Sequence, residues 1–219
     1  MKRSDIHRVY EILEEVYAGM EEPSVTKISR QTRRDPFRVL VSCLISLRTK
    51  DEVTLAASEK LFREADTPSK MLTLDEAEIA KLIYPAGFYK TKAKTIKDIC
   101  ALLINEYGGS VPDSIEELVK IKGVGRKTAN LVMVEGFNQP AVCVDTHVHR
   151  IFNRLGYVKT KTPEKTETEL RKHLPKEYWI RINEILVAYG RMTCRPISPF
   201  CSSCRLSGYC DKVSVDSRR

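Results

Sequence analysis

The 219-residue chain is short of acidic residues: 29 Asp and Glu stand against 37 Lys and Arg, giving a formal net charge of +8. That deficit suits a polyanionic partner. The chain has no apolar run approaching the ~18 residues a membrane span requires, which excludes a transmembrane helix. Met1-Lys2-Arg3-Ser4-Asp5 leads into an amphipathic helix rather than a signal-peptide core, so the expected location is the cytoplasm. No two segments alternate with the period of paired strands. Disulfides are not expected either, because thiols stay reduced in that compartment and seven cysteines there argue for metal ligation or burial. At 42% hydrophobic, the sequence can bury a real core.

What is present is helical periodicity. The apolar period is near 3.6 almost throughout, and the expected class is all-α with about ten or eleven helices. Residues 5–17 place Ile6, Val9, Tyr10, Leu13, Val16 and Tyr17 on one face. A polar stretch, 21–34, reads as a linker or domain crossing. Asp35-Pro36 caps and opens a helix that is apolar nearly all round, the pattern of a buried central helix. Asp51 is placed to cap the helix that follows. Asp75 begins a short helix. The loop Tyr84-Pro85-Ala86-Gly87-Phe88-Tyr89 sets aromatics beside Lys90, Lys92 and Lys94, which open the next helix as a solvated face or a phosphate track. Asp113 with Glu116 offers a capping box. Cys43, Cys100 and Cys143 lie in apolar runs and read as buried thiols.

Two features carry chemistry. In Leu118-Val119-Lys120-Ile121-Lys122-Gly123-Val124-Gly125-Arg126-Lys127-Thr128-Ala129, two helices meet across a Gly-x-Gly turn. The glycines permit positive φ and leave a bare backbone that another molecule can approach. The second helix begins just after Gly125, so its unpaired N–H groups and its dipole form a phosphate site that grips a nucleic-acid backbone without reading bases. Lys122 and Arg126 add charge there. The second feature is Cys194, Cys201, Cys204 and Cys210, spaced x6, x2 and x5. Four thiolates can hold zinc or a [4Fe–4S] cube; a compact run with one Cys-x2-Cys favours the cube, but composition does not choose the metal.

With Val144-Asp145-Thr146-His147-Val148 between them, these motifs resemble the endonuclease III family, base-excision glycosylase/lyases of the helix-hairpin-helix superfamily, from about Asp35 to Cys210. The resemblance implies two α-helical domains flanking a DNA cleft: a six-helix domain, 25–138, and a domain of 1–24 with 139–219 that carries a [4Fe–4S] cluster on the four cysteines. It implies Lys127 as nucleophile and Asp145 as catalytic carboxylate. Phe88 falls where the family inserts an apolar wedge. Arg48 stands in a segment, 46–50, that carries Gln in similar members and fills the gap left by the flipped base. His147 is a pocket candidate. The loop between the first two cluster cysteines holds one arginine, Arg195, with Arg191 or Arg205 sharing phosphate contact. The implied partner is double-stranded DNA containing damaged bases or abasic sites. A nucleoid-associated monomer is expected, since one cleft on one chain needs no second copy.

Overall fold

The computed structural model describes all 219 residues. It is all-α: twelve α-helices and two short 3-10 turns, with no strand. The chain divides into two compact units, one formed by 24–141 and the other by 1–23 together with 142–219.

The continuous unit carries eight helical segments: α2 (Ser24–Gln31), α3 (Pro36–Ser46), α4 (Asp51–Glu64), α5 (Pro68–Thr73), α6 (Glu76–Ile83), α7 (Tyr89–Tyr107), α8 (Ile115–Leu118) and α9 (Arg126–Glu135). Its centre is α3. The Asp35 carboxylate accepts from the Arg38 N–H at 2.9 Å, and Pro36 follows it in the first turn. From there Phe37 to Ile45 is buried apart from Arg38. Val39, Leu40 and Ile45 are fully inaccessible; each such side chain contributes about 1.5–3 kcal/mol by leaving water. Cys43 and Cys100 are buried thiols, both pushed up to about 12 by burial.

Three local expectations are corrected. The polar stretch 21–34 does hold the crossing between the two units, at 23/24, but it is no linker: it contains a packed helix, α2, whose Ser24, Val25, Thr26, Ile28 and Ser29 are buried. Its burial uses hydrogen bonds as well as apolar contact: Thr26 Oγ1 donates to the Glu135 carboxylate at 2.8 Å, and Ser29 Oγ donates to the Glu135 carbonyl at 2.6 Å. Asp51 does not cap α4, where Lys50 is the N-cap. Instead it accepts from Ser24 N at 2.7 Å and Ser24 Oγ at 3.0 Å, stabilising the start of α2. The cap of α8 is Ser114, which accepts from the Glu117 N–H at 3.2 Å, one residue beyond the Asp113–Glu116 register.

The discontinuous unit comprises α1 (Ile6–Tyr17), α10 (Thr146–Leu155), α11 (Pro163–His173) and α12 (Ile182–Met192). Ile6, Val9, Leu13, Phe152, Leu155, Ile185, Leu186 and Tyr189 share one core. Val142 and Val144 enter it from the segment before α10; Cys143 between them is buried, and its carbonyl accepts from Asn183. No helix of either unit is long and apolar enough to cross a membrane.

Candidate active site

In the continuous unit the glycine turn is pinned from below. Leu118, Ile121 and Val124 are buried, while Lys122, Gly123, Gly125 and Arg126 are exposed. The two glycines do different work. Gly123 has φ +97, and a Cβ there would meet Thr95 Cγ2 at 2.8 Å. Gly125 has φ −87, as any residue can, so the expectation of positive φ is corrected for this glycine. A Cβ at Gly125 would enter open space. Gly125 is the N-cap of α9 and supplies no side chain to its first N–H groups, which leaves donors and the positive helix end facing outward.

This difference gives a prediction. Gly123→Ala should cost roughly 1–3 kcal/mol of stability through strain at positive φ and the Thr95 collision. Gly125→Ala should cost less than about 1 kcal/mol, a capping effect, yet weaken DNA binding because its methyl group occupies the approach to the N–H groups. Chemical denaturation and anisotropy titration of the two variants separate the effects.

Lys127 lies in the first turn of α9, half-buried. Its positive charge reaches the buried Cys43 of α3 and opposes the upward shift of that thiol. The residue is thus two positions past the N-cap, on a helix that packs against α3.

Two loop tips lie in the same unit. Arg48, exposed at the end of α3, has φ +52; Phe88, the N-cap of α7, has φ +56 and is 62% exposed. Their side chains meet, with the Arg48 guanidinium 5.5 Å from the Phe88 ring centroid, a cation–π distance. Both backbones occupy the left-handed region that bulky residues seldom adopt. Lys90 and Lys94 are exposed, but Lys92 is buried, which corrects its placement on a solvated face or phosphate track. Its ammonium donates to Ile45 O at 2.6 Å, Leu47 O at 2.6 Å and Thr49 Oγ1 at 2.8 Å. Burial pulls its pKa down to about 8.

In the discontinuous unit Asp145 is the N-cap of α10. Its Oδ1 accepts from His147 N at 2.8 Å and Val148 N at 2.9 Å. His147 is half-buried; its Nδ1 lies 3.1 Å from Arg150 Nη2, and a Cβ at Gly190 of α12 would collide with it. That packing accounts for the histidine within its own unit. Sequence reasoning missed Arg150 and Arg154, one and two turns along α10 from this end. Arg150 Nη2 donates to the Cys194 carbonyl at 2.9 Å and the Gly190 carbonyl at 3.1 Å. Arg154 donates to the carbonyls of Arg195 at 2.6 Å and Pro196 at 2.7 Å. The helix headed by Asp145 is therefore tied to the start of the cysteine loop.

Cys194, Cys201, Cys204 and Cys210 all line one small cavity of about 30 Å3, bordered by Arg154, Phe200 and Val215. No three His, Cys, Asp or Glu side chains are gathered closely enough to hold a metal ion as they stand. The donor chemistry nevertheless fits an iron–sulfur group, with four soft ligands around one space and polar groups on their sulfurs. Lys212 N donates to Cys210 Sγ at 3.4 Å, Arg154 Nη1 to Cys194 Sγ at 3.5 Å, and the Tyr189 hydroxyl is 2.9 Å from Cys204 Sγ. Burial first, then the neighbouring cysteines, keeps the Cys210 thiol above its ordinary pKa. In the loop itself the Arg195 guanidinium lies 5.0 Å from the Phe200 ring centroid, and Ile197 is 84% exposed. Arg205 is paired with Glu15 at 2.5 Å rather than held out toward a ligand.

An all-helical scaffold presenting an uncapped helix start behind a Gly-x-Gly turn, with a cationic and an aromatic loop tip in the same unit, defines a helix-hairpin-helix nucleic-acid-binding protein. Residues 41–176 match the HhH-GPD superfamily of base excision DNA repair proteins. Endonuclease III of Thermotoga maritima is 51% identical over 177 residues, 81% of this chain and 83% of that protein. A structure of a non-covalent endonuclease III–DNA complex superimposes with a TM-score of 0.86 at 31% identity, covering 97% of this chain and 96% of that one. A trapped endonuclease III–DNA covalent intermediate gives 0.84 at 30%, covering 97% of each chain. The chain belongs to the endonuclease III family. It is a base-excision repair enzyme, a DNA glycosylase with abasic-site lyase activity.

Proposed function

We propose that the enzyme removes oxidised pyrimidines from duplex DNA and that Lys127 is the nucleophile of both glycosylase and lyase steps. The observation that carries this reading is the position of Lys127, in the first turn of the helix whose uncapped N–H groups offer a backbone phosphate site. A residue so placed is held near the sugar of the gripped strand.

The chemistry needs three things. The damaged nucleotide must leave the stack, at a cost of a few kcal/mol, with Phe88 and Arg48 entering the duplex to hold it open. A neutral amine must then attack C1′; the N-glycosidic bond breaks, and the base leaves with its electron pair and takes up a proton. The C1′–O4′ bond of this aminal then breaks, O4′ taking up a proton as the sugar ring opens to an imine; the imine acidifies the 2′ position, and loss of a 2′ proton expels the 3′ phosphate by β-elimination, after which water frees the lysine. Asp145 supplies the carboxylate that accepts the lysine proton or stabilises positive charge developing at the sugar. Cys194, Cys201, Cys204 and Cys210 would hold a [4Fe–4S] cluster, which when bound orders the loop from Cys194 to Cys210. Through Arg150 and Arg154 that order passes to the helix headed by Asp145.

The test is incubation with duplexes carrying a single oxidised pyrimidine, a normal mispair or a preformed abasic site. A bifunctional enzyme releases the oxidised base and nicks the abasic strand. Release of normal bases from mispairs without nicking would identify a monofunctional mismatch glycosylase, and binding without either reaction a DNA-binding module. Elemental analysis of the same preparation should find iron and sulfide; zinc in their place would overturn the cluster assignment.

A further inference from the structure

The geometry points to Lys92 as a positioning residue that locks the Arg48 and Phe88 loops into one rigid DNA-probing unit, an inference that rests on the DNA-repair reading above. Lys92 is 8% exposed, and the proposed reaction gives it no part. Its three ammonium protons meet three acceptors, the carbonyls of Ile45 and Leu47 and the hydroxyl of Thr49. Those carbonyls belong to the unsatisfied end of α3, where a cation is favoured. The Lys92 ammonium thus closes α3 and holds the chain that turns out toward Arg48.

The link to the second loop runs through Thr49. Its hydroxyl oxygen accepts from Lys92 and also from the Gly87 backbone N–H at 3.0 Å, while its own proton points to the Leu47 carbonyl at 3.3 Å. Gly87 permits the approach, because a Cβ there would collide with the Arg48 carbonyl oxygen. The residues next to these contacts are Arg48 and Phe88, both at positive φ and in cation–π contact with each other. Backbone held in such sparsely populated regions persists when the surroundings over-determine it. Lys92, Thr49 and Gly87 are those surroundings. Wedge and gap-filler therefore enter the duplex together, at fixed spacing, rather than as two independent loops.

Loss of the clamp should harm the opening of paired DNA and spare the chemistry at a site that needs no opening. Lys92→Met keeps the buried stem and removes the three donors; Thr49→Val removes only the bridging hydroxyl and keeps the test alive should the first variant fail to fold. Each is assayed for base release from a fully paired lesion duplex, for nicking of a single-stranded abasic oligonucleotide, and for 2-aminopurine fluorescence opposite the lesion. The expected result is at least a tenfold slower base release and a reduced fluorescence rise, with single-strand nicking within twofold of wild type. Equal losses on both substrates, or no loss on the duplex, would overturn the clamp while leaving the enzyme reading intact. Wild-type protein inert on both substrates would overturn the two together.

Discussion

Lys127→Gln should abolish borohydride trapping of a covalent DNA adduct and cut nicking of an abasic duplex by more than about three orders of magnitude, as loss of a covalent nucleophile does. Glutamine is one atom shorter than lysine but is a good helix former and keeps most of the half-buried apolar stem, so α9 should keep its start. The phosphate grip uses backbone N–H groups behind Gly125, which the substitution leaves in place. DNA affinity should therefore fall only by what one lost cation near the backbone contributes, and should keep most of its salt dependence. Gel-based nicking assays and anisotropy titration on the same preparation check both halves. A variant that binds and nicks like the wild type would return Lys127 to the role of a simple phosphate contact.

Asp145→Asn should slow base release by about 10²–10⁴-fold, the usual contribution of a positioned acid or base. The substitution isolates charge. Asn is as good an N-cap as Asp, so the bonds that Oδ1 accepts from His147 N and Val148 N survive and α10 keeps its start. Stability should change little, whereas Asp145→Ala should lose about 1 kcal/mol through the missing cap. If capping were all that Asp145 does, the alanine variant would lose stability and the asparagine variant would keep its activity. A loss of less than tenfold in Asp145→Asn would favour that purely structural role.

The residues that announce themselves in the sequence are those whose local chemistry suffices. Asp35-Pro36 opens a helix wherever it stands, and Asp75 with Glu78 forms a reciprocal cap. The Gly-x-Gly turn and the four-cysteine run are as visible in the sequence as in the fold. Three of the misreadings involve polar groups whose partners lie far along the chain. Helix α2 was hidden because it buries Thr26 and Ser29 through Glu135, more than a hundred residues away. Asp51 looked like a cap for its own helix and serves another 27 residues earlier. Lys92 did leave a signal: it falls in phase with Ile96, Ile99, Cys100 and Leu103 on the buried stripe of α7. A lysine on such a stripe must find acceptors inside, and only the tertiary structure shows that they are the carbonyls at the end of α3. The open space at Gly125, against the strained turn at Gly123, is likewise a property of neighbours rather than of residue type.

The most direct test of the central assignment is to reduce the enzyme–DNA imine with borohydride, digest the adduct and map the modified amine by mass spectrometry. The account predicts attachment on the peptide containing Lys127. Attachment at Lys92, Lys122 or the N-terminal amine, with Lys127 unmodified, would contradict it.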